Sequence, residues 1–576
     1  MNVNKKLIAI ALVLVIAIAV ILPSCKGKSG SGDEVVVVTD RNGVPITDKN
    51  GEAITVVLET EIVEITNANG EKVYDENGEP KTSVVYHSKD VQVPIIGSDG
   101  KALTDADGNI RTTMITVPPD KQEVVSVINF TDPNGNYLVD ENGETITRTV
   151  VYTTSTPDSG SNNSNWGTTY GGSLNDSYKT VAATPDGGCV ALFQSNSKDG
   201  TLSGLVNDAT SVPYMVVVKY DQAGMLKWQK VFSGNGSLQL NAVDVDSEGN
   251  IYIAGFTKAT DLGFTNYGDY DAVLYKLNSS GDVRWIKNFG GSMTDGFYGV
   301  SVSPDGVVAA GLCASGDGNA SSLGLGSGKS AAVVVKFDSN GNVTFAKGIG
   351  SSGDTFNSVD VDSAGNIYAV GNFSAQSSAI QSFGRSDGVI VKYASNGTQQ
   401  WVKQYGGSQI DGFNSVVATN DGCVVVGRSR SSDNSLEKLG NQGDYDAIIV
   451  KYAQSGDIIF ENSFRGPGAE SFNNVTIDRN GVIAACGQSS SSTRDMKTVG
   501  NKGGSDAIIV TYGATGMVTS VQGYGGSRDD SFTGICALTN GEYIACGTTL
   551  SVDGDLVGAR AASDGNHTVG MIAKFR

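Results

Sequence analysis

Seven times along the second part of the chain an apolar run ends in Lys followed by an apolar or aromatic residue: Met215 to Tyr220 (MVVVKY), then AVLYKL, AVVVKF, GVIVKY, AIIVKY, AIIVTY and, last, Met571 to Phe575 (MIAKF). The Lys, or the Thr that replaces it once, falls at 219, 276, 336, 392, 451, 511 and 574, so the repeat length is 56 to 63 residues. Short apolar runs bounded by turn residues predict strands buried on both faces. Each is followed by a polar turn with Gly, a strand centred on Trp or a substitute (LKWQKVF, VRWIKNF, QQWVKQY) and a Gly-Gly corner. A short strand (NAVDV, YGVSV), a turn (SEGN, PDG) and a strand ending in Gly (IYIAG, CVVVG) complete the unit. Four short strands per unit, repeated in series, predict the blades of a β-propeller, since one unit can bury its faces only against its neighbours.

The phase of the repeat predicts how the ring closes. The array starts on a lone Trp-type strand, Trp166 to Tyr170 (WGTTY), and ends on a lone Lys strand, Met571 to Phe575. Pairing the two completes a seventh blade and removes an unpaired edge. Seven Lys strands and seven Trp-type strands then agree on the blade count, and the chain is all-β. Stretches such as VDVDSEGNIYIAG make the region resemble the seven-bladed β-propeller repeats of bacterial cell-surface lipoproteins and, distantly, the NHL repeat. That resemblance implies that NAVDV-type strands lie innermost, followed by IYIAG-type, Lys and Trp-type strands on the rim; it implies no single function.

A different pattern precedes the propeller. Turn dipeptides come in pairs eight residues apart: Asn42-Gly43 with Asn50-Gly51, Asn69-Gly70 with Asn77-Gly78, Asp99-Gly100 with Asp107-Gly108, and Asn134-Gly135 with Asn142-Gly143. Between them lie Thr- and Val-rich segments such as TSVVY, which predicts four small β units in series over residues 35–158, a spacer with no large core of its own. Carboxylates in DADGN and DENGE would suit calcium. Turn chemistry explains the same residues, no closing bidentate Glu recurs, and no cofactor is expected.

At the N-terminus Lys5 and Lys6 precede an unbroken apolar run from Leu7 to Leu22, and Leu22-Pro23-Ser24-Cys25 follows. This resembles a lipobox, which implies that residues 1–25 are a lipoprotein signal, that Cys25 is acylated, and that the chain is exported, held to the membrane and exposed on the outer surface. An uncleaved signal anchor is the alternative. Residues 26–34 are then a flexible linker, and residues 159–576 the propeller.

Composition narrows the chemistry. Gly makes up 75 of 576 residues and charged residues only 18%, as expected for short strands and tight turns. A net charge of -20 argues against nucleic acid, which needs Lys and Arg to neutralise phosphates. Apart from Cys25 the six cysteines contain no C-x-x-C pair and read as small buried apolar residues. Trp166, Trp228, Trp285 and Trp401 share one rim position, where Phe345 and Phe460 also occur; packing between blades explains them better than a sugar-stacking ladder.

Two sets of residues remain as candidates for binding. The loops between the Gly-ended strand and the Lys strand, among them Ser195 to Tyr214, Ser315 to Ala331 and Thr549 to Val569, are long and differ freely in sequence. The corner pattern G-G-S-x-x-D-x-(F/Y) places Asp176, Asp295, Asp354, Asp411, Glu470 and Asp530 at matched positions, with Leu238 in blade two. Those carboxylates would either ring an electronegative cup for a cation or basic ligand, or accept hydrogen bonds from their own corners. The only histidines are His87 and His567, so neither a Ser-His-Asp set nor a His-rich metal site can be assembled. The expected protein is a non-enzymatic binder of an extracellular protein, glycan or matrix component. A carbohydrate-active hydrolase or lyase using two acids of the cup, and a structural surface-layer or adhesion component, are the alternatives.

Overall fold

In the computed structural model the described residues are 167–206, 213–326, 329–351, 353–374, 380, 382–556 and 567–576, together with seven strands nearer the N-terminus. The chain divides into two compact units, Met1–Asn162 and Asn163–Arg576. Cys25 and Trp166 lie outside the described residues.

In the first unit Gly32–Val37, Thr55–Glu64 and Thr82–Tyr86 form a three-stranded antiparallel sheet, and Lys89–Pro94 with Thr112–Val117 and Glu123–Asn129 with Thr147–Thr153 form two-stranded ones. Four long connections join the paired strands, residues 38–54, 65–81, 95–111 and 130–146, and each contains one pair of the turn dipeptides. The turn dipeptides lie outside the described residues.

The second unit is a closed ring of seven four-stranded antiparallel sheets. With strands lettered A to D from the channel outward, blade one is Asp176–Ala183, Cys189–Ser195, Tyr214–Tyr220 and Leu226–Phe232. Blade seven is Asp530–Ala537, Tyr543–Thr549, Val569–Phe575 and, from the other end of the sequence, Gly167–Tyr170. Gly570 faces Tyr170 and Ala573 faces Gly167 across that seam, as the phase of the repeat predicts. Strand A of each blade touches strand A of both neighbours all round the ring.

Why the C strands read as continuous apolar runs follows from the packing. Side chains alternate across a strand, so Met215 and Val217 enter the core shared with blade two while Val216 and Val218 enter the core shared with blade seven. Every blade junction holds one such cluster, seven in all. All six cysteines from Cys189 onward are buried and unbridged within these cores, where burial pushes their thiols up from the ordinary range.

The rim aromatics pack between blades. A first side-chain carbon added at Gly281 would lie 2.9 Å from the Trp228 ring, at Gly341 3.2 Å from Trp285, and at Gly456 3.0 Å from Trp401. Each indole crosses to the C–D turn of the next blade and donates from Nε1 to a carbonyl there, Ser279, Ser339 and Gln454 in turn, at 3.0–3.3 Å.

Candidate functional site

The D–A corners and the B–C loops emerge on one face of the ring. Five of the six corner carboxylates begin their A strands, Asp354 immediately precedes its own, and all are at most 1% exposed. Asp295 accepts the Gly291 and Ala314 amides, both at 2.9 Å, and the Ser315 hydroxyl at 2.6 Å. Asp411 accepts the Gly407 amide at 2.7 Å and the hydroxyls of Ser429 and Ser431 at 2.5 and 2.7 Å. Asp176 and Asp530 accept equivalent bonds, Asp354 accepts the Ser351 and Ser374 amides at 2.7 and 2.8 Å, and Glu470 takes the hydroxyls of Ser489 and Ser491. Burial pushes the carboxyls of Asp176, Glu470 and Asp530 up, and these hydrogen bonds pull them back down. The geometry is that of a brace: each acid ties its own corner to the end of strand B, and the donors around it leave it turned inward.

Blade two departs from the pattern. Leu238 stands at the acidic position, and Ala259 stands where blades one, three, five, six and seven carry a serine; blade four keeps its acid with Ala375 there. Leu238 and Ala259 are both buried. Wherever that serine is present its hydroxyl donates to the acid, and in blade four backbone amides alone hold Asp354 at hydrogen-bond distances below 3 Å.

The B–C loops turn out to begin alike. Five of them contain a short 3-10 turn, Gly200–Leu202, Gly318–Leu323, Asn434–Leu436, Arg494–Met496 and Gly554–Leu556, which buries Leu202, Ala320, Leu436, Met496 and Leu556. Before four of these turns an Asp (199, 317, 433, 553) accepts the amide of the corner serine at 2.7–2.8 Å. A carbon added at Gly291 would lie 2.3 Å from Asp317 Oδ1, so the second corner position admits only glycine. The recurring S-x-D-(G/N)-x-L pattern was the signal for this docking.

A second shared device occurs just before strand C in blades two, four, five and six, with the pattern (N/S)-x-G-x-x-D: Asn266 to Asp271, Ser382 to Asp387, Asn441 to Asp446 and Asn501 to Asp506. The amide of x donates to Oδ2 of the aspartate in all four, at 2.8–3.1 Å. The glycine packs against the corner of the next blade, too close for any side chain. What differs is x itself: Tyr267 and Phe383 are 46% and 47% exposed, and Gln442 and Lys502 take the same place. Near Gln442, Arg428 and Arg430 stack on the Tyr445 ring at 4.6 and 4.9 Å, and Arg430 pairs with Asp444. Arg430 and Asp444 also line a polar cleft of about 450 Å³ with Ser408, Gln409 and Asp433.

The channel wall is committed to holding the ring. In every blade the residue after the strand-A aromatic or leucine is bulged out of the ladder. Asn241, Asn357, Asn414 and Asn473 donate from there to the Phe297, Phe413, Phe472 and Phe532 carbonyls of the next blade at 2.8–2.9 Å. Thr533 closes the circle onto the Tyr178 carbonyl at 2.9 Å. Lower down, Asp244 accepts the Val302 amide, and Asp360 accepts the Ala418 amide and the Ser301 hydroxyl. Burial pushes the Asp244 carboxyl up to about 7. Both acids on this wall are thus spent on bonds between blades. Among the described residues no three His, Cys, Asp or Glu side chains gather as metal ligands.

These pairings define a seven-bladed β-propeller with one face of constant scaffold and variable tips. No family model matches the chain. It is 22% identical over 253 residues to the regulatory protein FlaEY of Caulobacter vibrioides, covering 39% of this chain and 25% of that protein. It is 21% identical over 355 residues to an uncharacterised WD repeat-containing protein of Acanthamoeba polyphaga mimivirus, covering 47% and 25%. The chain spans about a quarter of the length of these curated relatives. Among solved structures, the WD40 β-propeller domain of Doa1 is similar at 14% identity, over 70% of this chain and 94% of that one, with a TM-score of 0.36.

Proposed function

We propose that the propeller is a non-enzymatic interaction scaffold that holds a protein partner on the face of its B–C loops and D–A corners, and that the chain is an exported lipoprotein anchored through Cys25, with residues 35–158 as its spacer. The observation that carries the reading is the four-fold turn before strand C: hydrogen bonding and glycine contacts fix the same backbone in four blades, while the exposed tip changes from Tyr267 to Phe383, Gln442 and Lys502. A constant frame with variable tips is how rigid scaffolds present binding residues. Exposed aromatics, and arginines already stacked on a tyrosine, are the side chains that dominate protein interfaces.

A photo-crosslinking amino acid in place of Tyr267 or Phe383 tests this on intact cells, with Leu226 and Val343 of the C–D turn end as controls. A discrete crosslinked product from the first two positions and none from the controls supports the reading. Equal crosslinking from both ends, or turnover of a polysaccharide by the purified chain, overturns it. Extraction of the chain into detergent phase, lost on Cys25→Ser, tests the anchor.

A further inference from the structure

The aspartates that close the four display turns have a second neighbour. Asp271, Asp387, Asp446 and Asp506 are at most 2% exposed, and in each the Oδ2 atom accepts the turn amide while Oδ1 has no hydrogen-bond partner. Each stands 24 residues before the corner acid of the following blade: Asp295, Asp411, Glu470 and Asp530. Backbone bonds hold the two together. The amides of Asp295, Glu470 and Asp530 donate to the carbonyls of Tyr270, Tyr445 and Ser505, the residues immediately before the turn aspartates, at 2.6–2.8 Å. A carbon added at Gly290 would lie 2.6 Å from Asp295 Oδ2 and 2.9 Å from Asp271 Oδ1; at Gly525 it would lie 2.5 Å from Asp530 Oδ2 and 3.2 Å from Asp506 Oδ1. Two buried carboxyls thus face one glycine, one rich in donors and the other with an oxygen that receives none. Two like charges so placed, in a site closed to water, resist ionising together.

We propose that these blade junctions are proton sites: as the pH falls, the bare Oδ1 of Asp271, Asp446 and Asp506 takes a proton from solvent and turns it toward the corner carboxylate of the next blade, tightening the ring. Asp387, beside Asp411, has the same place in its blade. The charges around each site act as follows. Burial, then the Asp295 carboxylate, holds Asp271 up. Burial pushes Asp446 up to about 6, with Glu470 and Asp495 adding to it and Arg465 opposing. Burial likewise raises Asp506, with Asp530 and Asp555 adding and Lys502 opposing. A carboxyl whose folded-state pKa is raised disfavours the fold at neutral pH, and that loss is recovered as the pH falls through the folded value. These junctions therefore gain stability as the pH falls through the raised folded values.

The test is the thermal midpoint of the full chain between about pH 7.5 and 5.5, for wild type, Asp446→Asn and Asp506→Asn. Asn copies the neutral carboxyl. The expected result is a wild-type midpoint that climbs as the pH falls, and variants that melt above wild type at the upper pH and climb less. Variants that melt below wild type at the upper pH with an undiminished slope overturn the proposal. So does calcium chloride raising the wild-type midpoint with Asn abolishing that gain, since the pair would then hold a cation. Infrared spectroscopy of the unmutated chain is the second measurement: acidification of the folded protein must bring up the stretch of buried neutral carboxyls, and its absence overturns the proposal without any variant.

Discussion

Blade two shows what a corner looks like without its acid, and this makes the brace testable as a coupling. In blade five Asp411→Leu removes the acceptor of the Gly407 amide, of the Arg430 amide and of two hydroxyls. The Ser429 hydroxyl can rotate to another acceptor, so the orphaned groups that count are the Gly407 amide and the Ser431 hydroxyl. At about 1–3 kcal/mol for each buried unpaired donor, the loss is roughly 3 kcal/mol. Ser431→Ala alone costs about 1.5–3 kcal/mol, since it removes a hydrogen bond to the Asp411 carboxyl and the acceptor of the Gln409 amide. The double variant, which copies Leu238 with Ala259, lacks the orphaned hydroxyl and gives leucine the room it has in blade two. Its loss is expected to fall short of the sum by about 1–2 kcal/mol, well outside the ~0.5 kcal/mol scatter of independent sites. Guanidinium unfolding followed by tryptophan fluorescence measures it, because Trp401 lies on Gly456 at the junction of blades four and five. Strict additivity, or a single variant within about 0.5 kcal/mol of wild type, would refute the brace and return Asp411 to the list of ligand-binding candidates.

Three further expectations follow from the same contacts. Thr533→Val removes the bond that joins blade seven to blade one at the channel; a loss of about 1 kcal/mol is expected, with faster amide exchange in Asp176–Ala183 than in the other A strands. Lys336 is 3% exposed and donates to Asp305 at 2.9 Å and to the Ser395 carbonyl at 3.1 Å. Asp305→Asn should therefore lower the melting point more than Lys336→Met, since only the first leaves a buried ammonium without its counter-charge. Lys336 holds the Asp305 carboxyl below its usual range, so this pair stabilises the fold above the ordinary carboxylate range and fails as the pH drops through the lowered value, opposite in sign to the junction pairs. Arg494 has φ of +58° where three other blades carry Gly200, Gly318 and Gly554. Arg494→Gly should be neutral or gain up to about 1 kcal/mol, and Arg494→Val should lose about 1–2 kcal/mol, both read as melting points.

Much of the fold was legible because the repeat tests itself. One apolar run could be a strand or a buried helix, but seven copies, each with its Trp-type partner and Gly-Gly corner, leave one architecture, and the odd strands at the two ends specify the seam at Gly167–Tyr170. The site was less legible for a physical reason. A carboxylate that braces a corner and one that binds a cation both need to recur at a fixed place beside glycines, so the pattern of Asp176, Asp295, Asp354, Asp411, Glu470 and Asp530 supports either reading until burial and donors are known. The discriminating signal lay elsewhere in the repeat: the serines just past strand B, Ser197, Ser315, Ser431, Ser491 and Ser551, whose hydroxyls donate to five of the six acids.

The loops carried the opposite ambiguity. Their differing lengths conceal a common start, since the glycine or asparagine of S-x-D-(G/N)-x-L stands at a positive φ and the apolar residue that follows is swallowed by the core. Variation confined to a few exposed tips on such a start means something other than variation along a free loop. A tip such as Tyr267 costs little entropy to hold in place, because its backbone is already tied to Asp271 and its glycine to the next corner. Preorganisation of that kind favours binding by reducing what must be ordered on contact. On the proposed reading, the residues of this face that would select a partner are those whose neighbours are constant: Tyr267, Phe383, Gln442 and Lys502 rather than the corner acids beneath them.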